Sequence, residues 1–277
     1  MRTKELFKQL IPPLVIRSFQ TWRSRETDPG PDLSGDYPSW SDAMAASSSY
    51  QSTIILDRTK AALLKVRSGE ANFERDSVLF DEIQYSWPLL AGLMWAAARS
   101  GGRLNVLDFG GSLGTTYFQN RVFLAHLPGV RWNIVEQPRH VAAGKEFFED
   151  EQLRFYESVD DCLSETGPNA LILSGVLQYL ERPYEVLGEL LRLPIDHVII
   201  DRSPFSEGLR DRLCVQRVPP RIYPASYPIW IFSRGMFLQH ITSSSFQIVE
   251  KFPALDRLDG PIVFRFEGMI LARVPKV

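Results

Sequence analysis

The chain has 277 residues, of which 44% are hydrophobic, so it can bury a real core as one domain with an appendage or as two small domains. Its formal net charge of −2 gives no global attraction to nucleic acid, which we do not expect as a partner. Cys162 and Cys214 lack metal-ligand spacing, and the longest uncharged apolar run, residues 87–98, is too short to span a bilayer. Charges interrupt the early apolar stretches, so we expect a cytoplasmic protein without a secretion signal or a metal site.

Residues 1–25 are a basic amphipathic arm, in which six Lys or Arg residues alternate with apolar ones against the single acid Glu5. Pro12 and Pro13 divide the arm into two short helical pieces. Such an arm suits an anionic membrane surface, here the inner membrane face. Packing on its own domain, on a partner protein or on the second subunit of a homodimer is the alternative.

Residues 26–100 are predicted to be a helical region that covers the ligand site of the sheet that follows. Residues 26–40 are rich in Pro, Gly, Asp and Ser and indicate a loop. Ser41 is a plausible N-cap of a first short helix. Longer helices with apolar faces are predicted over residues 51–67 and 77–98.

From residue 101 onward, strand and helix patterns alternate, which predicts a mostly parallel sheet with helices on both faces. Residues 253–261 connect the last two strands without a helix pattern, which suits an antiparallel pair at the sheet edge. We therefore predict a Rossmann-like α/β fold with a seven-stranded sheet and an antiparallel last strand. The strands are predicted at 104–108, 131–136, 153–156, 169–174, 196–201, 246–252 and 267–273, and the helices at 114–126, 138–149, 158–165 and 182–192.

The most informative segment is the glycine-rich turn after the first of these strands, VLDFGGSLG. Glycines Gly110, Gly111 and Gly114 allow the backbone to approach a ligand closely. The dinucleotide pattern G-x-G-x-x-G fails at positions 112 and 115, and no P-loop lysine is present. The remaining spacing, Asp108-x-Gly110-x-x-x-Gly114, resembles motif I of the class I S-adenosylmethionine (SAM)-dependent methyltransferases, except that Ser112 replaces that family's middle glycine.

The next two strands end in polar residues at the same predicted edge. Glu136, with Gln137 beside it, can accept hydrogen bonds from both ribose hydroxyls of a nucleoside. An isolated acid there would be a solvated surface residue, but the glycine turn favours the ligand interpretation. Glu157 and Ser158 stand where class I methyltransferases contact adenine, and a helix start explains them equally well.

The fourth strand runs into the small pair Ser174-Gly175 and then Gln178 and Tyr179, which resembles motif IV of the same superfamily. Small residues there leave room for the methionine end of the cofactor and for the acceptor. A tight strand-to-helix turn without ligand contacts is the alternative.

A narrower resemblance is carried by VLDFGGSLG, WNIVEQ, LILSGVLQYL, IIDRSPF and YPASYPIWIFS in this order, together with DYPSWSDA and FERDSVLF upstream. The chain resembles, over about residues 11–273, a group of methyltransferases associated with bacterial surface-polysaccharide gene clusters. The resemblance implies an enzyme of O-antigen or capsule assembly that uses SAM and releases S-adenosylhomocysteine (SAH).

The segment 203–235 is predicted to be an acceptor-side insertion, unusually rich in arginine, proline and aromatic residues. Arginine forks suit phosphate or carboxylate, and aromatic faces suit sugar rings. We therefore expect a phosphorylated, nucleotide-linked or acidic sugar as acceptor. The alternative is that the arginines form a solvated surface and the aromatic residues cover the core. The candidate acceptor-binding residues are Gln178, Arg202, Arg210, Arg221, Tyr223, Tyr227 and Trp230.

A sugar hydroxyl needs a general base to accept its proton. Asp201, at the end of the fifth strand, is the first candidate and His240 the second, with Tyr179 as an orienting group. N- or C-methylation of a sugar nucleotide, or a catalytically silent scaffold that docks a glycosyltransferase, are the competing functions.

Overall fold

The structure is a computed structural model that describes residues 32–47, 52–219, 225–256 and 263–274. The predicted basic arm, residues 1–25, lies outside the described residues, as do Arg221 and Tyr223. Within the part of the chain that is described, no helix is long and apolar enough to cross a bilayer.

The N-terminal region contains strands as well as the predicted helices. Its elements are β1 (Asp32–Ser34), α1 (Trp40–Ala45), α2 (Ser52–Ser68), β2 (Phe73–Arg75), β3 (Val78–Phe80) and α3 (Trp87–Arg99).

Two details of this region differ from the sequence prediction. Ser39, and not Ser41, caps α1, because its side chain accepts a hydrogen bond from the Asp42 amide. The prediction of one helix over residues 77–98 was wrong for residues 77–86, because β2 and β3 form an antiparallel hairpin over residues 73–80 and α3 begins only at Trp87. Its two turn residues, Asp76 and Ser77, have φ values of 51° and 69°, as a tight hairpin turn of the I′ kind requires.

The α/β region follows the predicted alternation closely. Its elements are β4 (Arg103–Phe109), α4 (Thr115–Leu124), β5 (Gly129–Val135), α5 (Pro138–Phe147), β6 (Leu153–Tyr156), α6 (Val159–Glu165), β7 (Ala170–Ser174), a 3₁₀ turn (Leu177–Tyr179), α7 (Pro183–Leu190), β8 (His197–Ser206), β9 (Arg212–Arg217), β10 (Ser226–Ser233), α8 (Arg234–Thr242), β11 (Phe246–Pro253) and β12 (Arg265–Arg273).

Five parallel strands form the centre of the sheet in the order β6-β5-β4-β7-β8. The register pairs Asp108 with Ile134 and Ser174 with Asp201. The carboxyl ends of these strands, and the turns that follow them, therefore meet at one edge of the sheet.

The seven predicted strands are all present, and among the described residues three further strands extend the sheet to ten. β12 pairs antiparallel with β8 on one side and with β11 on the other, as predicted for the last strand. The segment 203–235 is largely strand rather than loop: β10 pairs with the end of β8, β9 pairs with β10, and β1 pairs with β9.

Two hydrophobic cores cover the two faces of the sheet. One packs α2, α3, α4 and α5 against residues such as Val106 and Ile172, and the other packs α6, α7 and α8 against residues such as Leu107 and Leu171. Neighbouring strand residues alternate between the two cores because side chains of a strand alternate between faces. Full burial of one leucine or phenylalanine side chain stabilises the folded state by about 1.5–3 kcal/mol. This packing on both faces holds the strand ends in place, and the site lies at those ends.

Candidate functional site

The glycine turn after β4 is packed tightly against its neighbours. Gly110 has a φ of 73°, and a Cβ there would lie 2.5 Å from Cγ2 of Val176, in the turn after β7. Gly114 has a φ of 101° and precedes α4 without capping it through a side chain. The first amides of α4 therefore point toward the turn, an arrangement that favours anionic groups.

The Asp108 side chain packs against this turn at Gly111. The side chain is buried, and Oδ2 accepts a hydrogen bond of 2.9 Å from Nε1 of Trp132. A Cβ on Gly111 would lie 2.5 Å from the same carboxylate, which explains the glycine there. Burial, together with the nearby charge of Glu136, raises the pKa of Asp108 to about 7, although the hydrogen bond from Trp132 lowers it.

Glu136 lies beside the glycine turn, as predicted. The Gly110 amide donates to the carbonyl of Val135, which joins the turn to the end of β5 at 2.9 Å. The Glu136 side chain is 14% exposed, and its Oε2 accepts a bond of 2.7 Å from the Gln137 amide. Its carboxylate therefore faces the edge of the sheet with capacity for further donors.

Glu157 and Ser158 follow β6, and here the helix-start interpretation is confirmed. Ser158 caps α6: its Oγ accepts from the Asp161 amide at 3.0 Å and donates to Asp161 Oδ2 at 2.7 Å. Glu157 is exposed and lines a groove of about 540 Å³ along β6 with Arg154. A contact of either residue with adenine remains a prediction.

The turn after β7 lies directly beside the end of β8. Gly175 has a φ of 65°, and its amide donates to the Asp201 carbonyl at 3.0 Å. Ser174 and Asp201 line a small cavity of about 30 Å³ at the carboxyl edge. Gln178 is buried, and its Nε2 donates to the Arg202 carbonyl at 3.0 Å.

An aromatic surface adjoins this edge. Tyr179 meets Tyr227 edge to face, with ring centroids 5.3 Å apart, and donates its hydroxyl to Oε1 of Gln216 at 3.2 Å. Trp230 stacks on Trp40 with centroids 6.4 Å apart, and Trp230 Nε1 donates to the Leu180 carbonyl. The predicted acceptor residue Tyr227 thus lies against the predicted orienting residue Tyr179, whereas Trp230, three residues further along β10, points to the opposite face of the sheet.

Asp201 is buried at the tip of the parallel part of β8. Burial raises the pKa of the Asp201 carboxyl to about 6. The hydrogen bond from the Arg202 amide to Oδ1, at 2.9 Å, and a hydrogen bond from Ser86 act in the opposite direction and lower the pKa. Near neutral pH the carboxyl is therefore ionised and close to the pKa at which a general base works best.

The acceptor-side arginines are engaged by the protein's own carboxylates. Arg210 donates to both oxygens of Asp36, at 3.1 and 2.6 Å, and Arg212 also contacts Asp36. Among the described residues of 203–235, all four arginines lie within 4 Å of a carboxylate: Arg210, Arg212, Arg217 and Arg234. These contacts offset part of the positive charge that the sequence analysis assigned to binding an anionic acceptor.

His240 lies away from the other candidates. It stands in the last turn of α8, with its ring 5.1 Å from that of Tyr184, and burial lowers its pKa. Because α8 starts at the carboxyl end of β10 and runs back toward the start of β11, His240 lies toward the opposite edge of the sheet from Asp201.

Two acids at this edge escaped the sequence analysis. Glu74 of β2 is fully buried; it accepts hydrogen bonds from the Thr115 hydroxyl and, at 3.1 Å, from the Ser77 amide, and burial raises its pKa to about 7. Asp256, after β11, forms an ion pair with Arg202. The polar pair Asp76-Ser77 before the apolar run Val78–Phe80 was the one weak sign of a hairpin here, and strands of three residues are too short to have located Glu74 from it.

No protein-family model matches the chain, and no curated protein matches it in sequence. Solved structures do resemble it. Magnesium protoporphyrin IX methyltransferase from Synechocystis PCC 6803, with bound SAM, is 14% identical over 68% of this chain and 79% of its own, with a TM-score of 0.45. The N-terminal domain of EvdMO1, in the presence of SAH and D-fucose, is 14% identical over 77% of this chain and 96% of its own, with a TM-score of 0.46.

A third is 1,6-didemethyltoxoflavin-N1-methyltransferase from Burkholderia thailandensis with bound SAH, which is 15% identical over 82% of this chain and 92% of its own, with a TM-score of 0.41. At such identities the likeness concerns the fold, and the functional argument rests on the residues of this chain. The strand order with its antiparallel β12 is that of a Rossmann-like α/β fold, as predicted.

Proposed function

We propose that this protein is a SAM-dependent methyltransferase that O-methylates a sugar of a bacterial surface polysaccharide or of its phosphorylated or nucleotide-linked precursor. The observation that carries the proposal is the meeting of the glycine turn, Glu136 and Asp201 at one edge of the sheet.

The residues at this edge fit the cofactor by their chemistry. Glu136 supplies a carboxylate for the ribose hydroxyls, and Gly110 and Gly114 place no Cβ at the first and last positions of the turn. The first turn of α4 offers amides to the carboxylate of the cofactor. Bound SAM would supply an electrophilic methyl group and leave as SAH.

Asp201 is the proposed general base. Its ionised carboxylate would accept the proton of the acceptor hydroxyl as the oxygen–methyl bond forms, a contribution of about 10²–10⁴ in rate. Holding the acceptor in line supplies several further kcal/mol. The Arg202 amide and Ser86 hold the carboxylate in place.

The aromatic pair of Tyr179 and Tyr227 supports a sugar ring as the acceptor, since such faces cover its apolar side. Arg210 and Arg212 share the single carboxylate of Asp36, so a positive charge remains there and both free and phosphorylated sugars stay candidates. The polysaccharide context rests on the sequence resemblance.

The test is methyl transfer from isotopically labelled SAM to a panel of free, phosphorylated and nucleotide-linked sugars, with the labelled atom located by NMR. Tyr227→Ala should raise the acceptor KM more than Tyr227→Phe, which keeps the ring. Label on nitrogen or carbon would replace O-methylation. SAM binding without transfer to any sugar would favour the scaffold function.

A further inference from the structure

The β2–β3 hairpin lies across the carboxyl edge of the sheet and touches both halves of the proposed site. Glu74 binds the hydroxyl of Thr115, one residue beyond Gly114 of the glycine turn. Asp76 accepts a 2.6 Å hydrogen bond from Nη2 of Arg202, one residue beyond Asp201. The hairpin therefore bridges the cofactor side and the acceptor side.

Arg202 ties this hairpin to a third segment. Its Nε and Nη2 donate to the two oxygens of Asp256 at 3.0 and 2.9 Å, while Nη2 also reaches Asp76. Arg202 adopts a φ of 56°, a left-handed conformation that is unfavourable for a residue with a side chain. We call the three residues Asp76, Arg202 and Asp256 the latch.

Little space remains beneath the hairpin. The cavity there has about 30 Å³ and is lined by Arg75, Ser86, Ser174 and Asp201, among others. Small-molecule sites generally occupy ~300–1,000 Å³, whereas ~30 Å³ holds one or two waters. A methyl donor and a sugar cannot meet at Asp201 while the hairpin holds this position.

The hairpin is suited to move. Its two strands have three residues each and form a separate two-stranded sheet, a unit of marginal stability on its own. The Asp76 side chain is 61% exposed, so its ion pair is weak and screened by salt. Phe73 and Phe80, with ring centroids 5.8 Å apart, anchor the opposite end.

We propose that the β2–β3 hairpin is a gate, which the latch holds closed over the site and whose displacement admits the cofactor and the acceptor. This inference rests on the proposed function. Opening requires the loss of the Asp76–Arg202 and Glu74–Thr115 contacts, whereas the Arg202–Asp256 pair can persist.

The experiment measures the association rate constant of SAH by stopped-flow fluorescence for the wild type, Asp76→Asn and Glu74→Gln. The gate predicts association about two- to fivefold faster in Asp76→Asn, because losing a weak ion pair increases the fraction of molecules that are open. Because SAH has no net charge near pH 7, added salt should speed association to the wild type and not to Asp76→Asn. Asp81→Asn, an exposed acid just beyond the hairpin, is the matched control and should behave as the wild type.

Equal association rates in the wild type and both gate variants, with SAH bound by all of them, would overturn the gate and leave the proposed function intact. If folded wild-type protein does not bind SAH at all, the proposed function fails and the gate with it. Since Asp76 is largely exposed, its asparagine variant should fold normally, which circular dichroism checks.

Discussion

Replacing Asp108 with asparagine should stabilise the protein, and more so as the pH rises. Asparagine is nearly isosteric and keeps an oxygen that can accept the Trp132 Nε1 hydrogen bond. It removes the cost of ionising a fully buried carboxyl. No other group in contact with Asp108 needs to change.

The magnitude follows from the two pKa values of Asp108. Burial raises its pKa from 3.8 to about 7 in the folded protein. A carboxyl whose folded pKa is raised contributes stability fully below about pH 4, and this contribution is lost as the pH rises through about 7. Each unit of difference between the folded and unfolded pKa corresponds to ~1.36 kcal/mol. The full loss of folding stability is therefore about 4 kcal/mol, of which about 2–3 kcal/mol is lost between pH 5 and pH 8.

The assay is urea unfolding of the wild type and Asp108→Asn at pH 5 and pH 8. The advantage of the variant should grow by about 2–3 kcal/mol between these values. Asp57→Asn, an exposed aspartate of α2, is the control and should show no such growth. Wild-type and Asp108→Asn stabilities that run parallel across this pH range would refute the reasoning.

Two further predictions concern Asp201 and the glycine turn. Asp201→Asn should lower kcat by about 10²–10⁴ and abolish the rise of kcat with pH through about 6, the pKa of the buried base; an unchanged pH profile would exclude Asp201 as the base. Gly110→Ala should destabilise the protein by about 1–3 kcal/mol, because it strains a φ of 73° and drives a Cβ against Val176. In urea unfolding, adding Gly110→Ala should cost less stability in a Val176→Ala background than in the wild type, because the Cγ2 contact at 2.5 Å is gone and the Cβ contact at 3.0 Å remains; an equal cost in both backgrounds would contradict the packing account.

The part of the fold with a strong local pattern could be predicted from the sequence. The seven strands have apolar runs bounded by turn residues, and Asp108, Gly110, Gly114 and Glu136 lie at strand ends, which adjacent parallel strands necessarily bring to one edge. The confirmed antiparallel pairing of β11 and β12 followed from their short helix-free connection.

What the sequence could not provide depends on long-range pairing. β1 joins the sheet only through β9, and β9 only through β10, so their positions depend on registers that no local pattern encodes. The hairpin of residues 73–80 has strands too short for a clear period. Arg202 pairs with Asp256, 54 residues away, and Arg210 pairs with Asp36, 174 residues away. Because these partners are so distant in sequence, the arginines were interpreted as free to bind an anionic acceptor.

The most direct test of the central claim is calorimetric binding of SAM and SAH to the wild type, Glu136→Ala and the control Glu146→Ala, an exposed glutamate of α5. The account predicts binding by the wild type and the control, and binding weakened about 10- to 100-fold in Glu136→Ala through the loss of charged hydrogen bonds to the ribose. Equal affinity in all three proteins, or no binding by folded wild type, would contradict it.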